Sequence, residues 1–312
     1  MAGTVVISGG SGFIGTALSN LLKCCGYEVI VISRMPGIAR MTWSELEREG
    51  LPKNTTAVVS LAGQNILDMK RRWNPEFQQT VRASRLNTTK SLVKAIVKAE
   101  IKPQAFVATS AVGYYPPSSD KEYTEYTEAG KGDFFSELCS DWEAAAKLPS
   151  GIDTRQVVIR TGVVLGRRGG MIEQLYWPFF FGLGGPVASG QQYLPWIHLH
   201  DIVRLFLFAI EEKPVQGVLN GVAPNIITSS QFAKAFGREL WRPAFIPLPE
   251  FAANILLGHE RAKMLTRGQK VVPKRTLEFG FTYNFPDIRS ACKELSPLVY
   301  IDDLMDPNHI ER

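Results

Sequence analysis

Apolar positions along the chain follow two alternating rhythms. Thr4–Ser8 is a short, uninterrupted β-branched run, whereas 16–25 repeats its apolar residues at helical spacing through Ala17, Leu18, Leu21 and Leu22. A glycine-rich stretch, 9–15, separates the two, which reads as strand, turn and helix. Gly26 is the expected helix stop, and a second strand follows at Glu28–Ser33. The unit closes within about 33 residues, the size of a βαβ motif.

The alternation continues. Strands are predicted at 57–61, 105–110 and 155–164, and helices at 75–99 and 133–146. Apolar strands separated by helices indicate a parallel sheet covered on both faces, so the fold class is α/β, a Rossmann-type doubly wound sheet. From about 166 the texture changes to Gly, Pro and aromatics, including Phe179, Phe180 and Phe181 before Gly182, with a helix near 229–240 and turns at Pro243, Pro247 and Pro249. This predicts a Rossmann domain over 1–165, with 195–225 packing back onto it, and a smaller carboxy-terminal substrate lobe from 166–194 and 226–312.

The turn after the first strand carries the first chemistry. Gly9, Gly12 and Gly15 stand at its first, fourth and seventh positions, with Ser11, Phe13 and Ile14 between them. In a dinucleotide-binding turn these glycines make the tight bend, admit the pyrophosphate and let helix pack on strand. The helix N-terminus then offers free N–H groups and partial positive charge to phosphate. The second strand ends in Ser33 and Arg34, where an NAD-preferring domain places a carboxylate. An Arg fork grips a 2′-phosphate, which favours NADP(H) over NAD(H).

Bulk properties restrict the partners. Hydrophobic residues at 45% and charged residues at 21% are ordinary for a globular chain, and 312 residues exceed one small core. The longest apolar stretches fall short of the roughly 20 residues needed to cross a bilayer. A first strand at Thr4 leaves no room for a signal peptide, so an intracellular location is expected, cytoplasmic or mitochondrial matrix. The net charge of +5 is scattered, which argues against a nucleic-acid binder. Small clusters occur only at Lys70, Arg71 and Arg72 and at Arg167 and Arg168. The four cysteines show no CxxC spacing and read as reduced thiols. His198 and His200, with Asp201, are read as alternating on one strand face, but without a third ligand they do not make a metal site.

The glycine turn resembles the extended short-chain dehydrogenase/reductase superfamily. So do Val58 to Gly63, Thr109 to Tyr115 and Arg160 to Gly166. More narrowly, the chain resembles the NAD-dependent epimerase/dehydratase-like branch with an uncharacterised carboxy-terminal domain. Arg72-Trp73, Ser84-Arg85, Asp141-Trp142-Glu143, Trp196-Ile197-His198 and the Arg242-Pro243 region extend the likeness over nearly the whole chain. The resemblance implies that Leu61, Ala62 and Gly63 pass beneath the adenine and ribose, and that Thr80 and Arg85 complete the cofactor pocket. It also places Ser110 near the nicotinamide and Gly162, Val163 and Val164 at its flank.

The same resemblance exposes a departure. A Tyr and a Lys four residues apart are expected on one helix face, the Tyr as proton donor and the Lys depressing its pKa. Those positions hold Phe135 and Cys139. Tyr114, beside Tyr115, is the nearest substitute donor, and Tyr123 and Tyr126 are more remote ones. Two functions are expected from this pattern. One is an NADP(H)-dependent oxidoreductase or epimerase-like enzyme on a small carbonyl or sugar-like substrate. The other is a non-catalytic NADP(H)-binding regulatory or scaffold protein. Relatives pair through a helix bundle, and the sequence leaves monomer or homodimer open.

Overall fold

The computed structural model describes residues 3–68, 70–128 and 132–296, so the end of the expected second lobe, 297–312, lies outside the described residues. The chain runs β1 (Thr4–Ser8), α1 (Phe13–Cys24), β2 (Glu28–Ser33), β3 (Arg40–Thr42), α2 (Trp43–Glu49), β4 (Thr55–Ser60) and α3 (Pro75–Lys98). It continues through β5 (Ala105–Ala111), β6 (Glu122–Tyr123), α4 (Phe134–Ala146), β7 (Arg155–Thr161), β8 (Val163–Gly166), α5 (Gly170–Phe180), β9 (Trp196–His198) and α6 (Leu199–Glu211). The last elements are β10 (Gly217–Gly221), α7 (Ser229–Glu239), α8 (Glu250–Leu257), α9 (His259–Thr266), β11 (Lys270–Val271), α10 (Lys274–Glu278) and α11 (Ile288–Glu294).

Seven parallel strands form the main sheet in the order β10-β7-β5-β4-β1-β2-β3. Its strand order reverses between β1 and β4, and in such sheets ligands bind outside the carboxyl ends of the strands at that point. The period of two along each strand divides the core. Val5, Ile7 and Val59 pack with Leu18 of α1 and Phe206 of α6 on one face. Val6, Val58 and Phe106 pack with Leu92 and Ile96 of α3 on the other. The sheet is therefore doubly wound, as the uninterrupted apolar runs require.

The predicted strand 155–164 breaks at Gly162. β7 stays in the main sheet, while β8 turns aside and pairs with β9 in a separate two-stranded sheet. Gly162 donates to Gly221 O at 3.0 Å, and a Cβ there would lie 2.7 Å from Pro195 O. Glycine is the residue that fits this crossing. Among the elements that escape the apolar pattern are β3, α2 and α5. The aromatic stretch before Gly182 is the end of α5, which carries Pro178 in its last turn. Nor do His198 and His200 share a strand. β9 ends at His198, which caps α6 by accepting from His200 N at 3.2 Å.

Around Leu165, Phe179, Trp196, Phe232, Phe236 and Cys292 a second core forms. Two buried carboxylates attach the later chain to the main sheet. Asp201 accepts from Asn284 N and Phe285 N at 2.8 Å each, and Glu125 accepts from Asn220 N and Arg275 N at 3.0 Å each. Among the described residues no helix is long and apolar enough to cross a membrane.

Candidate functional site

The glycine turn sits at the carboxyl end of β1, beside the point where strand order reverses. Its three glycines meet different demands. Gly9 adopts φ 74°, and a Cβ there would lie 2.7 Å from Leu61 C. At Gly15 a Cβ would lie 2.2 Å from Gly9 O, so α1 could not close on the turn. Around Gly12 the nearest atom is Gly9 O at 3.3 Å, and the residue is exposed on its outer side. That glycine leaves room for an approaching ligand rather than for packing.

Gly12 also begins α1. No side chain caps this helix and no acid stands in its first turn; Thr42, Asn74, Asp133, Thr228 and Asp287 cap α2, α3, α4, α7 and α11, while α5, α8 and α9 lack a side-chain cap but carry an acid in the first turn, and the short α10 lacks both. An uncapped N-terminus above a glycine turn fits the pyrophosphate of a dinucleotide. Ser11 is exposed at the turn, and Ile14 packs its side chain against the main core. Phe13 does something the sequence did not reveal. Its ring fills the space over Gly166, Gly169 and Gly170, where a Cβ on Gly169 would come within 2.5 Å. The β8–α5 loop thereby rests on the glycine turn.

Ser33 accepts from Met35 N at 3.1 Å, and Arg34 is exposed just beyond β2. Leu61 and Ala62 are held from below by Ser8, whose hydroxyl accepts their N–H groups at 3.3 and 3.4 Å. Ser84 accepts from Gln64 N at 2.9 Å, and Arg85 Nη1 donates to Gln64 O at 3.0 Å. The Arg85 guanidinium is packed under Gly63, whose Cβ would lie 3.1 Å from its Cζ, and over the Trp142 ring. Burial brings the Arg85 pKa down to about 10, which leaves it charged at neutral pH. Thr80 is exposed and donates to Glu76 O within its own helix. Sequence reasoning had given Arg85 a place in the cofactor pocket but no role to Ser8 or Ser84, because their partners lie 20 to 54 residues away.

β5 and β7 carry the second half. Ser110 is buried, and its hydroxyl has no nitrogen or oxygen partner among the described residues; the Cys139 thiol lies beside it. Burial pushes that thiol up to about 12, so it is a neutral group without nucleophilic character. Phe135 and Cys139 face Gly113, at 3.5 and 3.6 Å from its ideal Cβ. Phe135 is stacked on Trp73 at 5.7 Å. The α4 face that stands over Ser110 is therefore apolar.

Tyr114 is half-buried, with the Arg160 guanidinium 3.3 Å from its ring centroid. Arg160 forms a two-pronged ion pair with Glu143, both contacts at 2.8 Å, and donates to the Tyr115 hydroxyl at 2.8 Å. Burial opposes the Arg160 charge, but Glu143 overcomes it and holds the pKa above the usual value. Tyr115 is fully buried and within reach of Asn220 Oδ1, so its phenol is committed to the core. Tyr123 stacks on Tyr115 at 5.0 Å, and Tyr126 donates to Glu278 at 2.6 Å. Val163 donates to Pro195 O at 2.8 Å, and Val163 and Val164 pair with Trp196 and Ile197, so that Gly162 to Val164 run as a fixed edge beside β5 and β7.

His198 Nε2 donates to Glu294 Oε2 at 3.0 Å, its Nδ1 being the acceptor for His200 N, and Arg167 bonds Glu294 Oε1 at 2.9 Å. That cluster ties α11 to the β8–β9 sheet.

Comparison with known proteins agrees with the Rossmann-type fold. The model of the NAD dependent epimerase/dehydratase family matches residues 5–220, and a domain of unknown function, DUF1731, matches 248–295. The chain is 53% identical over 292 residues to the epimerase family protein SDR39U1 of Bos taurus, covering 93% of this chain and 99% of that one. A chloroplastic homolog from Arabidopsis thaliana is 36% identical over 94% of this chain and 86% of its own. Among solved structures, human epimerase family protein SDR39U1 with NADPH superposes with a TM-score of 0.92 at 52% identity, covering 94% of this chain and 99% of that one. UDP-N-acetylglucosamine 4-epimerase from Bacillus cereus shares the fold, with a TM-score of 0.74 at 14% identity, over 95% of this chain and 98% of that one. The chain belongs to the NAD dependent epimerase/dehydratase family, with a DUF1731 segment at its carboxy-terminal side.

Proposed function

We propose that the chain is an NADP(H)-dependent oxidoreductase or epimerase-like enzyme acting on a small carbonyl or sugar-like substrate. The observation that carries the cofactor is the uncapped start of α1 above a glycine turn open at Gly12. The human relative, 52% identical, is described with NADPH, which supports the same choice. In this reading Gly9, Ser11, Gly12, Phe13, Ile14 and Gly15 hold the pyrophosphate by their backbone. Ser33 and Arg34 take the 2′-phosphate, while Leu61, Ala62, Gly63, Thr80 and Arg85 border the adenosine side. Gly162, Val163 and Val164 flank the nicotinamide.

Bound NADP(H) supplies hydride exchange at nicotinamide C4. Ser110, whose hydroxyl lacks a nitrogen or oxygen partner, donates a hydrogen bond to the substrate carbonyl oxygen and polarises it. Tyr114, the phenol next after Ser110 along the chain and lying under the Arg160 guanidinium, delivers the proton to that oxygen. Hydride added to the carbon and a proton added to the oxygen together reduce the carbonyl to an alcohol.

The experiment follows NADPH consumption by the purified chain over a panel of aldehydes, ketones and sugars. Turnover is expected, and Ser110→Ala should lower kcat by about 100-fold, the effect of removing one donor to a developing oxyanion. Arg34→Ala should weaken NADPH by about tenfold, as loss of a charge-assisted contact implies, and leave NADH unchanged. Equal losses would refute the 2′-phosphate assignment.

Phe135 and Cys139 favour a second reading, a non-catalytic NADP(H)-binding regulatory or scaffold protein. Tight NADPH binding with no turnover on any substrate selects it. Reductase activity gained by Phe135→Tyr with Cys139→Lys would then identify a degenerate site.

A further inference from the structure

Arg261, on α9, is buried, with 2% of its surface exposed. Its guanidinium lies over the rings of Trp73 and Phe77, Cζ standing 5.0 Å from each centroid. Nη1 donates to Arg71 O at 2.9 Å, but Nε and Nη2 have no partner, and neither does the indole Nε1 of Trp73. Six buried side-chain polar atoms among the described residues lack a partner, and three of them belong to these two stacked side chains.

A buried guanidinium without a carboxylate is costly, because both its charge and its N–H groups have left water. No carboxylate stands within ion-pair reach of Arg261 among the described residues, and Asp68 acts on it only through space. Lys70, Arg71 and Arg72, exposed on the adjoining loop, add positive charge. All three unpartnered groups are donors. What satisfies a guanidinium fork and an indole N–H together is an oxyanion.

Position gives this cluster a meaning. Trp73 stacks on Phe135, which occupies the place where a proton-donating tyrosine was expected, over Ser110. We propose that Arg261 Nε and Nη2 with Trp73 Nε1 form a subsite for an oxyanion, carboxylate or phosphate, at the end of the substrate remote from its reacting carbon. This rests on the reading that the substrate reacts beside Ser110. The donors are enclosed by the α8–α9 corner, which turns at Gly258 (φ 82°) against the Trp73 Cβ, so entry is by displacement of that corner.

The test uses the full chain, 15N-labelled and saturated with NADPH, and reads its indole resonances. Six tryptophans are present, and the Trp73 signal is the one missing from Trp73→Phe. Cofactor binding is measured beforehand by NADPH fluorescence, so its failure is separable from failure of the subsite. Addition of sodium phosphate or sodium acetate should move the Trp73 signal saturably, beyond any change caused by sodium chloride at equal ionic strength. The anion that saturates at the lower concentration identifies the class. Arg261→Gln should weaken that response by about tenfold, as loss of charge-assisted bonds implies, and Arg261→Lys should restore part of it. A signal that follows ionic strength alone, or saturation unchanged in Arg261→Gln, would overturn the subsite.

Discussion

A methyl group at Gly15 would press against Gly9 O at 2.2 Å, whereas one at Gly12 meets nothing nearer than 3.3 Å. The two glycines should therefore fail differently. Gly15→Ala is expected to cost about 1–3 kcal/mol by overpacking, read from urea unfolding, and to weaken NADPH as well. Gly12→Ala should unfold close to the parent midpoint yet lose cofactor, because its methyl occupies the ligand side. Equal stability losses in both would show that Gly12 serves packing. Cys139 permits a second check. With its thiol raised to about 12, it stays protonated in the folded chain while an unfolded thiol ionises near its ordinary value. Its contribution to stability is complete below that ordinary value and is lost as pH rises from it towards 12. Ellman's reagent at pH 8 should accordingly modify the exposed Cys24 and Cys25 but spare the buried Cys139 and Cys292 until denaturant is added. Glycine spacing and the missing Tyr and Lys were legible at this scale because they are local patterns. Ser8, Ser84 and the Arg160–Glu143 pair were not, since a polar residue in isolation does not say which distant backbone or carboxylate it meets.

α4 presents Phe135 and Cys139 to the site, and its start is fixed by Asp133, which accepts from Phe135 N and Ser136 N at 3.1 and 3.0 Å. Asp133→Ala should cost about 1 kcal/mol, as loss of an N-cap does, and fray the turn that carries Phe135. Hydrogen exchange at the first amides of α4 would report it, and unchanged protection there would contradict the role of the cap. Elements with one dominant period were readable in advance: β1 and β2 match their apolar runs, and α3 lies within one residue of its expected end. α5 was hidden because Pro178 and a run of aromatics satisfy no helical stripe, its packing being decided by Phe232 and Phe236 far along the chain. The break at Gly162 was hidden for a related reason. A continuous apolar run does not say which of two sheets each half will join.

Buried carboxylates decide how the later chain is seated on the whole molecule. Asp201 is fully buried and takes the N–H groups of Asn284 and Phe285. Asp201→Ala removes two charge-assisted bonds and should cost about 3–6 kcal/mol, with faster hydrogen exchange concentrated in 281–295. A uniform loss of protection would instead mean that this segment unfolds only with the sheet. Neither Asp201 nor Glu125 could be assigned from sequence, because a carboxylate is ordinarily solvated and only the tertiary fold shuts it in. The interrupted strand has a mechanical consequence. β7 and β8 are one chain bent at one residue, so the small sheet is a bracket fastened to the large one and not a leaf on a hinge. Any tilt of that bracket pulls on Thr161, the register partner of Ala111 beside Ser110. The placing of the smaller sheet and that of the β5 end that carries Ser110 are thus linked through a single peptide.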